Sequence, residues 1–253
     1  MNRRTKTAAA LAVVLILSLG WLLYPAPGVP ILAYHKVCEE DNLYAVSPGE
    51  FEEQMRYLAE HGYTAISLRD YFAAASGERQ LPDKPVIITF DDGYDNNYLQ
   101  ALPIMEKYGM HGTVFVVSGY VEAYPGYLSW PQIADMLQRG TEIGSHTASH
   151  VQLDQISLEE RRQEIVESKS LLEQHTGVPV EFLAYPYGGY DQATEDILRE
   201  AGYIGACSGE PGLNQGTDHA YALKRINIPH PKWGLWEFRL RLLRADIYSK
   251  LNI

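Results

Sequence analysis

Beyond a Pro/Gly-rich stretch, PAPGVP at residues 25–30, short apolar, β-prone runs alternate with longer helical patterns. The short runs, at 31–34, 86–90, 113–117, 142–145, 182–185, 203–207 and 225–228, are bounded by polar or turn-forming residues and predict strands. The longer ones, at 48–61, 68–75, 97–108, 131–139, 158–175, 192–201 and 235–243, predict helices. Ser157, with Glu160 three residues on, has the form of a capping box. Gly140, Gly177 and Gly202 each follow a helical pattern closely, as C-terminal glycines do. Strands alternating with helices of this length imply a largely parallel α/β fold. Seven or eight strands in about 225 residues suit a barrel better than two small domains. The segment 233–243, WGLWEFRLRLL, predicts a closing helix of that barrel rather than an amphipathic helix lying on a membrane.

The first residues follow a different pattern. Arg3, Arg4 and Lys6 precede an uncharged apolar run at 8–24, AAALAVVLILSLGWLLY. A basic start before such a run is the form of a secretory signal or signal anchor. No small-residue cleavage site follows, and Pro25 and Pro27 stand where a peptidase would cut, so an uncleaved anchor with its basic end in the cytoplasm is expected. On either reading the rest of the chain works outside the cytoplasm.

Charge and cysteine content narrow the chemistry. A formal net charge of -11 argues against a nucleic-acid partner, because phosphates demand a basic face. It fits a neutral polymer, or one that becomes cationic as it is processed. Two cysteines, Cys38 and Cys207, cannot supply a four-ligand metal site and are expected to be small buried residues rather than a disulfide framework.

Polar groups recur where the predicted strands end. VIITF runs into Asp91-Asp92-Gly93, TEIGS into His146 with His150 four residues later, ILAY into His35, and FLAYP into Tyr187-Gly188-Gly189. In a parallel barrel the carboxyl ends of the strands share one face, so these groups are expected to converge. D-D-G alone is a common turn composition. Adjacent aspartates after an apolar strand nonetheless repel each other unless a cation or a shared proton intervenes. A His-x-x-x-His pair presents two imidazoles on one side of a helical turn, and with one carboxylate it leaves an open position for water at a metal.

These residues resemble the polysaccharide deacetylases of carbohydrate esterase family four. The motif T-F-D-D-G stands at Thr89–Gly93, and H-[ST]-x-x-H stands as His146-Thr147-Ala148-Ser149-His150. The resemblance covers about residues 30–229. It implies an α/β fold, a distorted (β/α) barrel with about seven parallel strands, occupying 29–253 after a signal or anchor with short linker at 1–28. It implies a divalent metal, usually Zn2+, held by Asp92, His146 and His150, with Asp91 as general base. The third motif departs from the family pattern: Ala184-Tyr185-Pro186-Tyr187-Gly188 puts alanine where an arginine usually braces the catalytic aspartate, and Arg225, in LKRINIP, is the candidate replacement from another strand. The Tyr187 N–H is the expected oxyanion donor, a role that needs no particular side chain. The fourth motif, an Asp and a Trp after a late strand, has no match near ACSGEPG. The fifth, L-x-x-H, is absent around His230 but present early, as Leu32-Ala33-Tyr34-His35, which is similar to the permuted deacetylases of biofilm poly-N-acetylglucosamine. His35 is therefore the expected general acid.

The resemblance implies removal of N-acetyl groups from an extracytoplasmic N-acetylglucosamine polymer; the apolar run at 8–24 separately predicts a membrane tether, and the net charge predicts no nucleic-acid partner. Tyr94, Tyr98, Tyr120, Tyr124 and Tyr127 lie near predicted strand ends and are candidates to stack on sugar rings. Peptidoglycan, a chitooligosaccharide and an O-acetyl ester are alternative substrates on the same scaffold. A carbohydrate-binding protein without turnover is the alternative from another class. The missing arginine and fourth motif favour that binder, and the retained Asp91, Asp92, His146, His150 and His35 weigh against it.

Overall fold

The computed structural model describes residues 13–15, 20–21, 26–216 and 219–251. The expected signal or anchor at 8–24 lies mostly outside the described residues, which include only 13–15 and 20–21 of it. Among those described, no helix is long and apolar enough to cross a membrane.

Each apolar run that ends on a polar residue becomes a strand. β1 (Ile31–Tyr34), β5 (Pro85–Phe90), β6 (Thr113–Val116), β7 (Glu142–Ser145), β8 (Phe182–Ala184), β9 (Gly205–Cys207) and β10 (Ile226–Asn227) pair in the order β10-β1-β5-β6-β7-β8-β9. Every pairing is parallel, which makes a curled half-barrel of seven strands. The break between β9 and β10 is stitched by Leu223, whose N–H donates to Ala206 (2.9 Å) and whose carbonyl accepts from Ser208 (2.8 Å). Three two-residue strands had no signal in the sequence: β2 (Lys36–Val37) and β3 (Ala45–Val46) pair with each other, and β4 (Thr64–Ala65) pairs with the start of β5.

Parallel strands bury both faces, and here the two faces go to different cores. Leu32, Tyr34, Ile88, Phe90, Val114 and Val116 pack outward against the helices. Ile31, Ile87, Phe115, Phe182 and Cys207 point inward, and Ile66, Leu68 and Tyr71 join them near the amino ends of the strands. The interior is therefore filled with apolar side chains, and the polar groups collect at the opposite, carboxyl end. Cys207 belongs to that interior, whereas Cys38 is only half-buried; both are free thiols.

The helices follow the expected pattern with ends shifted by a residue or two, and Ser157 and Glu160 do form a capping box. Two differ in kind. The 97–108 helix opens as a π-helical turn, Asn97–Ala101, before continuing as Leu102–Lys107. Pro103 lacks the N–H that would continue the regular ladder. The last helix runs from Leu235 to Leu251, well beyond the expected end at 243.

Register decides what meets at the carboxyl end. Tyr34 pairs with Phe90, and the Asp91 N–H donates to the Tyr34 carbonyl (2.9 Å), so His35 and Asp91 leave the sheet side by side. Val116 pairs with Ser145, and the His146 N–H donates to the Val116 carbonyl (2.8 Å).

Candidate active site

At the end of β5 the two aspartates part. Asp91 continues the strand and is buried, while Asp92 adopts a left-handed backbone (φ 75°) that turns its side chain elsewhere. Gly93 (φ 79°) completes the turn where a Cβ would meet the Val116 Cα at 3.3 Å. The expected repulsion is thereby relieved, because each carboxylate faces its own partner.

Asp91 faces Arg225. The guanidinium donates from Nη1 to Oδ1 (2.7 Å) and from Nη2 to Oδ2 (2.8 Å), a bidentate pair with both residues buried. Its Nε donates to the Ser208 carbonyl (3.1 Å), which fixes the plane of the fork. The guanidinium absent from the AYPYG segment is thus supplied from the residue before β10. Burial works against a charge on Asp91, but Arg225 and His146 outweigh it and hold the carboxyl below the usual carboxylate range.

Asp92 faces the histidines. Its Oδ1 lies 3.4 Å from His146 Nε2 and 3.2 Å from His150 Nε2. The Nδ1–H of His146 donates to the Ala184 carbonyl (2.7 Å), and a carbonyl can only accept, so in the neutral ring Nε2 turns its lone pair toward Asp92, ready for a cation, and in the protonated ring it turns an N–H there. Asp92 Oδ1 is buried and has no hydrogen-bond partner. Ligand atoms of Asp92, His146 and His150 all lie within 4.8 Å of one another. An orphaned carboxylate oxygen facing two imidazole nitrogens is the donor set of a divalent cation, and the residues fit one. Burial raises the Asp92 carboxyl, but the two imidazoles outweigh it and hold it well below its ordinary value.

The histidine pair reaches this geometry by a different route from the one expected. His146 to His150 is a loop, with Thr147 (φ 66°) and His150 (φ 60°) in the left-handed region, and not a helical turn. The loop is held by bonds to its own side chains: Thr147 N–H to Ser145 Oγ (3.2 Å) and His150 N–H to Thr147 Oγ1 (3.0 Å).

The two remaining expected residues share the cleft. His35 lines it beside Asp91 and Asp92, under the Tyr44 ring at 4.9 Å. Asn97, in the π-helical turn, donates to the His35 carbonyl (2.7 Å). Burial pushes the His35 imidazole down, with Asp91 and Asp92 opposing. Tyr187 has φ 59° and is 74% exposed, with the ring 4.9 Å from that of His150. His230 points elsewhere, its Nδ1 3.0 Å from the Ala45 carbonyl. The cleft encloses about 360 Å³, and Tyr44, Ser208, Gly209 and Asn227 also line it. Of these, Tyr44 carried no signal in the sequence, since it sits in an irregular loop with no motif around it.

A family model described as polysaccharide deacetylase matches residues 78–206. The Bacillus subtilis (strain 168) protein YxkH, whose name places it among polysaccharide deacetylases, is 31% identical over 210 residues, 83% of this chain and 75% of that one. The solved structure of the Streptococcus pyogenes deacetylase PplD in complex with acetate superposes with a TM-score of 0.78 at 28% identity, covering 87% of this chain and 99% of that one. A poly-beta-1,6-N-acetyl-D-glucosamine N-deacetylase of Staphylococcus aureus (strain MRSA252) is 25% identical over 198 residues, 73% of this chain and 68% of that protein. Shorter matches carry the names of peptidoglycan deacetylases; one from Bacillus cereus is 34% identical over 48% of this chain and 54% of its own length.

Proposed function

The chain belongs to the polysaccharide deacetylase family, and on that premise we propose that it removes N-acetyl groups from poly-β-1,6-N-acetylglucosamine outside the cytoplasm. That it is a polysaccharide N-deacetylase follows from the family. The choice of polymer rests on His35, which enters the cleft from β1 at the start of the domain, and on the Staphylococcus aureus relative. The carrying observation for the chemistry is one cleft that places a carboxylate–imidazole cluster beside a second, arginine-braced carboxylate.

Asp92, His146 and His150 are the residues to hold a divalent cation, with Zn2+ the best match to two imidazoles and a carboxylate; such a cation supplies Lewis-acid polarisation of the acetamide and of water. Asp91 is the general base. A carboxylate offers about four lone-pair positions and Arg225 engages two, so acceptor capacity remains for the proton of the attacking water. The Tyr187 N–H, presented by its left-handed backbone, is the donor to the acetyl oxygen as it takes on negative charge. His35 delivers a proton to the departing nitrogen, and acetate and a free amine result. Residues 8–24 would tether the enzyme to the membrane at which it works.

Peptidoglycan is the second reading, favoured by the names of the shorter matches. Acetate release measured side by side on β-1,6-linked oligomers, β-1,4-linked oligomers and peptidoglycan, each with and without chelator, decides between them. Chelator-sensitive release that is fastest on the β-1,6 oligomer is expected; a clear preference for peptidoglycan would replace the proposed substrate.

A further inference from the structure

The backbone just after His35 is held at three consecutive groups from outside β1. Asn97 donates from Nδ2 to the His35 carbonyl (2.7 Å), and the Lys36 N–H, at the other end of the same peptide, donates to the Tyr44 carbonyl (3.0 Å). The next N–H, that of Val37, donates to Asn96 Oδ1 (2.8 Å). On the near side of His35 the Tyr34 carbonyl accepts from the Asp91 N–H (2.9 Å). The peptides on both sides of His35 are therefore fixed, and with them the direction of its Cβ.

An imidazole that presents one nitrogen to a substrate is ordinarily steered by a hydrogen bond on the other. His35 has no such steering: among the described residues neither of its ring nitrogens makes a hydrogen bond, and the Tyr44 ring tilts against it at 48°. Its aim thus follows from the backbone and from Tyr44, whose own carbonyl is tied to Lys36. Asn97 opens the π-helical turn Asn97–Ala101, a geometry met mostly as single turns at functional sites. It is 1% exposed, and among the described residues its Oδ1 has no hydrogen-bond partner. A buried amide with one end unsatisfied is unfavourable where packing alone is needed, since leucine would fill the same space. Its satisfied end is the one on His35. Neither asparagine lines the cleft, so both act from behind the acid.

We infer that Asn97, assisted by Asn96, is the positioning residue of the acid: it aims His35 through the peptide that follows it, in place of a partner on the ring. The inference rests on the reading of His35 as the group that protonates the departing nitrogen.

Steady-state acetate release by the metal-replete full chain, from whichever of the β-1,6- and β-1,4-linked N-acetylglucosamine pentamers it turns over faster, tests the role in a double-mutant cycle. Asn97→Leu keeps the volume and removes the donor. Its kcat is expected to fall about tenfold with KM within about twofold, because a misaimed acid slows the chemistry without loosening the substrate. His35→Ala should fall further, by about 10²-fold, and the double variant should be no slower than His35→Ala, since Asn97 then has nothing to aim. Asn96→Leu, at a half-buried position, should show the same pattern with a smaller fall and replaces Asn97→Leu if that variant does not fold. Losses that multiply in the double variant, an unaltered kcat in Asn97→Leu, or a loss carried by KM overturns the positioning role. The His35 ring gives a readout that needs no turnover. In 1H–13C NMR of the imidazole C–H groups, the signal missing from His35→Ala identifies it. In Asn97→Leu that signal should shift or broaden, while those of His61 and His175, stacked on Tyr57 (3.9 Å) and Trp130 (3.8 Å), stay in place. An unmoved His35 signal, or equal movement of all three, overturns the inference. If the wild type releases no acetate, or His35→Ala loses none, the deacetylase or the acid reading fails, and the ring signal alone decides whether Asn97 aims His35.

Discussion

Asp91 and Arg225 are 134 residues apart in sequence and share two hydrogen bonds in a buried pair, so parting them has a different consequence from each side. Arg225→Ala leaves a carboxylate buried without its partner, which is expected to cost about 3–5 kcal/mol in denaturant unfolding. Asp91→Asn keeps the shape but strands the buried guanidinium and sets an amide NH2 against one of its donors, so it should also cost about 3–5 kcal/mol, and in addition lower acetate release by about 10²–10⁴-fold while leaving metal content unchanged. The double variant should be more stable than the sum of the two single losses predicts, because the second change removes a charge already stranded by the first. Full turnover in Asp91→Asn would remove that residue from the role of base, and strict additivity would show that the pair is not coupled. The aspartates and histidines of this site were legible in the sequence because each follows an apolar strand directly. Arg225 could be named as a candidate but not placed, since only the pairing of β10 on β1 and β1 on β5 brings it to Asp91. The backbone of the histidine pair was misread: a spacing of four suits a helical turn and a loop with two left-handed residues equally well, and the loop is what forms.

At the level of elements, the sequence was informative wherever an element is long enough to have a pattern. Strands buried on both faces read as unbroken apolar runs, and helices begin at serines whose hydroxyls accept from the third N–H, as at Ser47, Ser67, Ser129 and Ser157. Two-residue strands have no periodicity to read, and β2 pairs with β3 in parallel only because the loop at 38–44 brings the chain round beside itself. The helix Gln192–Glu200 begins instead at Asp191, which accepts from Thr194 N–H (2.9 Å) and from Nη1 of Arg161 (2.6 Å), a buried residue of the neighbouring helix Leu158–Thr176. Asp191→Ala removes a cap, worth about 1 kcal/mol, and an acceptor of a buried guanidinium; about 2 kcal/mol in total is expected, or a fall of about 4–8 °C in Tm. Arg161 holds the Asp191 carboxyl down to about 2, below its ordinary 3.8. A carboxylate depressed on folding contributes stability above its unfolded value and loses it as pH falls through the folded one. Stability of the wild type should therefore decline between about pH 4 and pH 2 more steeply than that of Asp191→Asn, which keeps the cap and cannot titrate. Identical acid profiles for the two would show that the ion pair, half-exposed on the Asp191 side, is screened out.

For the whole molecule, the cleft is also where the sheet's separate strands are tied together. Asp92 follows β5, His146 follows β7, and Arg225, just before β10, spans from Ser208 beyond β9 to Asp91 beyond β5. A buried carboxylate oxygen without a hydrogen-bond partner faces two imidazole nitrogens, so the fold itself brings a set of cation ligands together. A cation that binds only the folded chain adds stability in proportion to the logarithm of its concentration over its dissociation constant, about 2.7 kcal/mol at a hundredfold excess. In a chain of this size that is a rise in Tm of about 5–10 °C. Scanning calorimetry in chelator, followed by readdition of single metals, should show that rise for Zn2+ or Co2+ and little for Mg2+, because imidazole donors suit the former pair and all-oxygen sites the latter. Acetate release should return with the same metals in the same order. His146→Ala separates a specific site from binding elsewhere on an acidic surface: in that variant the Tm should no longer respond to zinc. A response of equal size in His146→Ala, or a wild-type Tm and turnover indifferent to chelator, would mean that Asp92, His146 and His150 meet for a reason other than a metal.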